Sequence, residues 1–144
     1  MSRGLSNNNP GNIRISSEKY LGEVIPSKDK SFKQFQSMAY GYRAIFVILR
    51  NYIEKYKADT IREIIYRWAP PNENSTENYV KTVVLRSGIQ ADATINKTDG
   101  DSISKIVSAI SYVENGTPAN ENDILQGLQL AASRFKDFVF KKKV

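Results

Sequence analysis

The longest helical pattern in the chain constrains its fold most. From Ser37 to Lys57, apolar residues recur at steps of three and four: Met38, Tyr42, Ile45, Leu49, Tyr52 and Tyr56. Phe46, Ile48 and Ile53 widen that face, while Arg43, Arg50, Glu54 and Lys57 are assigned to the opposite side. An apolar face this broad predicts a central helix with other elements packed around it. The whole chain of 144 residues has the length and apolar content of one domain with a single modest core, so residues 1–144 are read as one unit.

The segments around this helix follow from local signals. Residues 1–11 are rich in Asn, Gly and Ser and are expected to be irregular, as is 139–144. Asn7-Asn8-Asn9-Pro10-Gly11-Asn12 is a dense turn signal. Three short alternating runs follow, Asn12–Ile15, Tyr20–Ile25 and Phe32–Phe35, and predict a small antiparallel hairpin or three-stranded sheet. Thr60 and Glu63 have capping-box spacing at the start of a short helix that Pro70-Pro71 ends. Helices are expected over about Thr76 to Ser87, from near Ser102 to Asn115, and from Asn120 onward, with residues 89–100 as a loop. The fold class is therefore α+β, predominantly α, with about five helices and a small N-terminal β element.

Composition removes several chemistries. The chain has no Cys and no His, which excludes thiol nucleophiles, His-based triads, disulfides and zinc sites with their usual ligands. It carries no phosphate loop, dinucleotide fingerprint or metal-ligand cluster, so no cofactor is expected. No apolar run is long enough for a membrane span, and Met1–Asn7 shows no secretory signal. Any hydrolytic chemistry rests on carboxylates, hydroxyls, amides or cationic side chains. The net charge of +6 favours an anionic partner: nucleic acid, an anionic membrane surface or an acidic wall polymer. Nucleic acid is disfavoured, because no helix clusters Arg and Lys and no strand interleaves them with aromatics. The basic run Lys141-Lys142-Lys143 reads as a solvated tail.

The most informative short stretch is Ser111-Tyr112-Val113-Glu114-Asn115-Gly116. Glu114 follows Ile110 by four residues and Val107 by seven, on or beside an apolar stripe where a free carboxylate is not expected. Partial burial and the negative end of the helix dipole both favour its protonated form, which a general acid needs. The alternative is that Glu114 bends out to water or caps a backbone amide. Glu23, after Gly22 at the edge of the presumed hairpin, is a candidate second carboxylate for a glycosidase pair, and Glu73 in the loop after Pro71 is its reserve. The bend from Asn9 to Asn12 suits sugar hydroxyls or simply a turn. Trp68 and Tyr79 suit stacking and positioning of a sugar, or core packing.

Several of these stretches resemble a family of small phage and prophage proteins described as virion structural or endolysin-like. They are Arg3–Arg14, Leu21-Gly22-Glu23, Phe32–Phe35, Ala39–Ala44, Arg67–Thr76 with Tyr79, and Val113–Gly116. A second resemblance is to lysozyme-like peptidoglycan glucosaminidases. Asn9–Arg14 is similar to their Asn-rich turn into a strand, Phe32–Phe35 to their Phe-x-x-Phe segment, and Tyr79–Val83 to their Tyr-bearing helix. Their acidic helix lies upstream, whereas here Val113-Glu114-Asn115-Gly116 lies downstream, so the resemblance implies a circularly permuted lysozyme-like domain.

This resemblance implies a peptidoglycan-cleaving glycosidase or lytic transglycosylase. Glu114 would be the acid, Tyr79 a positioning group, and glycan strands the substrate. It also implies release by host lysis or delivery on a virion, with other virion proteins as further partners. A non-enzymatic virion or wall-binding module on the same fold is the second expectation.

Overall fold

The computed structural model describes residues 1–72 and 75–141. Its elements are helix α1 (Arg3–Ser6), strands β1 (Glu23–Val24) and β2 (Gln34–Phe35), and helices α2 (Met38–Tyr56), α3 (Ile61–Trp68), α4 (Thr76–Ser87), α5 (Gly100–Asn115) and α6 (Glu121–Arg134). The five longer helices and a two-stranded antiparallel sheet give the predominantly α, α+β class expected from the pattern. Among the described residues, no helix is long and apolar enough to cross a membrane.

The central helix forms as its periodicity predicts. Ser37 caps it by accepting the Tyr40 amide, and Lys57 closes it in the left-handed region at φ 56°. Tyr42, Ile45, Phe46 and Leu49 are fully buried, but so are Ala44 and Val47 on other faces. The assignment of Arg43 and Arg50 to a solvent side therefore needs correction, since they are only 7% and 3% exposed. The reason is α6, which packs along that side of α2. Gly127 permits the approach: a Cβ there would lie 2.7 Å from Tyr42 Cβ and 3.0 Å from the Arg43 amide nitrogen. Arg50 is accommodated by ion pairs to Glu54 at 2.7 Å and Asp137 at 2.8 Å, and by the rings of Phe135 and Phe138 below its guanidinium.

Local caps set the other helices. Thr60 Oγ1 accepts the Glu63 amide at 3.1 Å to open α3. The hydroxyl of Thr76 donates to the Ala69 carbonyl at 2.6 Å and fixes how α4 follows α3. Helix α5 begins at Gly100, slightly earlier than expected, because Asp99 Oδ1 accepts the Ser102 amide at 3.0 Å. Gly116, at φ 71°, ends it in the conformation a glycine adopts without strain. Asn120 accepts the Asp123 amide to open α6. Near the C-terminus, Val139 lies in a parallel bridge beside Asp99, so this residue is not irregular as expected.

The N-terminal region departs most from expectation. Residues 3–6 form a helical turn capped by Ser2 rather than irregular chain. The predicted strand over Asn12–Ile15 reduces to a single bridge between Arg14 and Phe32, and the sheet has two strands, with Glu23 opposite Phe35 and Val24 opposite Gln34. Asn9 is the physical cause. Its Oδ1 accepts the Ile13 amide at 2.9 Å, and its Nδ2 donates to the carbonyls of Ile13 and Lys33, each at 2.9 Å. A side chain thus takes the Ile13 amide and the Lys33 carbonyl, which a continued strand would have paired with each other, while the Lys33 amide still donates to the Ile13 carbonyl at 2.9 Å. Gly41 lets this bend settle on α2, because a Cβ there would meet the Asn8 carbonyl oxygen at 2.1 Å.

Asp29 ties the N-terminal turn to the hairpin. It accepts from Arg3 Nε at 2.6 Å and Nη2 at 2.7 Å, from Asn7 Nδ2 at 3.1 Å, and from the amides of Ser31 and Phe32. These donors, the Arg3 guanidinium first, hold its carboxyl well below the usual carboxylate range. A group with a depressed folded value stabilises the fold above its unfolded value, about 4, and that contribution is lost as pH falls further. The stability gap between wild type and Asp29→Asn is therefore expected to be full at neutral pH and to shrink on acidification below about pH 4. Urea titrations of both proteins across that range measure it.

Candidate functional site

Helix α5 delivers Glu114 in its last turn, half-buried, to the mouth of a groove of about 360 Å³. The N-terminal bend supplies one wall through Gly11, Asn12 and Arg14, and the end of α3 supplies another through Trp68 and Pro70. Tyr52, on α2, lies in the floor.

The carboxyl is held on both oxygens. Asn12 Nδ2 donates to Oε1 at 3.0 Å, and the Tyr79 hydroxyl donates to Oε2 at 2.8 Å. Asn12 also donates to the Glu114 carbonyl at 3.3 Å. Asn12 reaches the helix end because it adopts φ 48°, in the left-handed region that Asn tolerates. The next residue strengthens the seam. Asn115 Oδ1 accepts the Ser2 hydroxyl at 2.7 Å, while its Nδ2 donates to the Pro10 carbonyl at 2.8 Å. The two asparagines therefore lock the end of α5 onto the bend some hundred residues earlier in the chain.

Tyr79 comes from α4 and is only 8% exposed. Burial first, then the charge of Glu114 and the hydrogen bond to it, push its hydroxyl far above the ordinary tyrosine range; the Trp68 side chain hydrogen-bonds the same hydroxyl and opposes the shift. Tyr79 is therefore a donor to Glu114 at every ordinary pH. Each Glu114 oxygen keeps a second site for a proton or an acceptor bond beyond the one occupied by Asn12 or Tyr79. The arrangement fixes the plane of a carboxyl beside a cleft with aromatic walls, which suits proton transfer to a bound ligand.

Tyr79→Phe removes one of these two donors without changing the ring. It is expected to lower stability by about 0.5–1.5 kcal/mol, the net value of one hydrogen bond. Thermal unfolding of the two proteins checks this.

The structure thus brings together Glu114, Asn12, Tyr79 and Trp68. It does not bring Asn9 or Glu23 to them. Asn9 is fully buried, with its side chain spent on backbone groups. Glu23 accepts from the Lys33 ammonium at 3.0 and 3.1 Å and from the Tyr20 amide at 3.2 Å, and it does not line the groove. Glu73 lies outside the described residues. Sequence reasoning did not single out Arg14, Phe32 or Tyr52 as groove residues. The alternation that pairs Arg14 with Phe32 was a usable signal for the first two. Tyr52 gave none, since it sits on the stripe that reads as core.

No family model matches the chain. It is 37% identical over 131 residues, 88% of this chain and 80% of the relative, to a protein named Protein P5 from Pseudoalteromonas phage PM2.

Proposed function

The chain belongs to the family of Protein P5 of Pseudoalteromonas phage PM2, and we propose that it cleaves the glycan strand of peptidoglycan with Glu114 as general acid. The observation that carries this reading is the Glu114 carboxyl, clamped by Asn12 and Tyr79 at the edge of a groove walled by Trp68 and floored by Tyr52. The meeting of a helix-end acid with an Asn-rich bend from the other end of the chain supports a permuted lysozyme-like arrangement.

Among the described residues that line the groove, Glu114 is the only carboxylate. That favours a reaction needing one acid. Glu114 gives its proton to the glycosidic oxygen, the bond from that oxygen to C1 breaks, and the leaving sugar departs as an alcohol. The C1 cation is then captured by the 6-hydroxyl oxygen of the same sugar, and that hydroxyl's proton returns to Glu114. No water is consumed, and the product ends in a 1,6-anhydro ring. Two-carboxylate hydrolysis would instead need a partner for Glu114 across the cleft.

Incubation of the purified protein with peptidoglycan, followed by mass spectrometry of the soluble products, tests the proposal. Anhydro-ended fragments support it. Reducing-end fragments replace it with hydrolysis. Tight binding with no soluble product converts the protein into a non-enzymatic wall-binding or virion module.

A further inference from the structure

Two arginines without an ion-pair partner among the described residues lie at or next to the groove. Arg14 lines it on the N-terminal side, its guanidinium 4.9 Å from the centroid of the Phe32 ring. Arg67 does not line it but stands next to a lining residue, its guanidinium 3.6 Å from the centroid of the Tyr56 ring and 5.6 Å from that of Tyr52. Among the described residues, neither takes part in an ion pair, whereas Arg3, Arg50 and Arg62 all do. Both are exposed. Stacking on a ring restricts a long side chain and keeps its planar fork of donors presented edge-on. Two such forks, with no ion-pair partner among the described residues, form a place for a planar anion. The acid that the groove does contain, Glu114, is held by Asn12 and Tyr79 and, among the described residues, forms no ion pair with either arginine.

We infer that the groove selects a carboxylated glycan, with Arg14 as the principal contact to a substrate carboxylate and Arg67 as the second. The carboxylates available on such a polymer are those of its peptide stems. This takes from the proposed function only the identity of the groove as a glycan site. A neutral glycan of the same backbone would lack the contact, and the preference would be electrostatic and therefore weakened by salt.

Binding is measured with the Glu114→Gln protein, so that no turnover interferes. The probe is a soluble muramyl-peptide disaccharide with free carboxylates, compared with the same fragment after its carboxyls are converted to amides. The amidated fragment is expected to bind at least about tenfold more weakly at low salt, the value of about 1.4 kcal/mol for one charge-assisted contact. Adding Arg14→Gln should bring the two fragments to nearly equal affinity, and Arg14→Lys should restore part of the preference. A stability measurement of each variant separates lost contact from lost fold.

Equal affinity for the two fragments in the Glu114→Gln protein overturns the inference. So does tighter binding of a DNA oligonucleotide at the same salt, which would make the rim a phosphate-binding surface. Turnover by wild type at equal kcat/KM on free and amidated peptidoglycan sinks this inference and leaves the enzyme reading intact. A clear carboxylate preference without any turnover does the reverse.

Discussion

Glu114→Gln is expected to reduce release of soluble fragments from peptidoglycan at least about a hundredfold, the scale of general-acid catalysis, while leaving a folded protein. The amide keeps the size of the side chain and one acceptor oxygen. That oxygen can still receive Asn12 Nδ2, now 3.0 Å from Oε1, and the Tyr79 hydroxyl can rotate to accept from the new amide nitrogen. The fold therefore loses little, and the unfolding midpoint should stay close to that of wild type. What disappears is the transferable proton. Glu114→Asp is a stricter probe of geometry. It keeps the acid but withdraws it by one methylene, and a displacement of about 1 Å is expected to cost on the order of a hundredfold. Turnover near the wild-type rate in Glu114→Gln would remove this residue from the mechanism.

Glu23→Ala is expected to destabilise the protein by about 3–5 kcal/mol, because it leaves a buried ammonium without its counterion. Lys33 is fully buried, and the Glu23 side chain that neutralises it is only 6% exposed. After the substitution, the Glu18 carbonyl at 2.7 Å remains as the main acceptor for Lys33 Nζ. The loss would be a large part of the roughly 5–15 kcal/mol that holds a domain of ordinary stability together. Urea unfolding measures it, and adding Lys33→Met should recover part of the loss by removing the stranded charge. Turnover per folded molecule should be unchanged. A Glu23→Ala protein with wild-type stability and no turnover would instead make Glu23 the second carboxylate.

The elements that were legible in the sequence are those whose signals are local. The stripe from Met38 to Tyr56, the stop at Asn115-Gly116 and the cap at Asn120 are statements about residues three or four apart, and the helices follow them. The candidate acid was legible for the same reason, as a carboxylate out of place on an apolar stripe. The hairpin was only partly legible. Alternation suggested three strands, but it does not register that one side chain, Asn9, can take the hydrogen bonds of a strand. The pairing of Glu23 was not legible, because alternation in two runs does not show whether Lys33 faces it. Only the pairing of β1 with β2, which sets Glu23 opposite Phe35, brings the ammonium and the carboxylate together.

By itself, then, the sequence determined a helix-rich chain without thiol or imidazole chemistry, and a glutamate at the end of the helix before its last. Tertiary structure decided which charges are buried and which stay free. Arg43 and Arg50 disappear beneath α6, Glu23 pairs with Lys33, and Arg14, which lines the groove, has no ion-pair partner among the described residues. The physical reason is range. Helix periodicity and capping depend on neighbours within about one turn, whereas the partner of a charge depends on what the fold brings within a few ångströms of it, from anywhere along the chain.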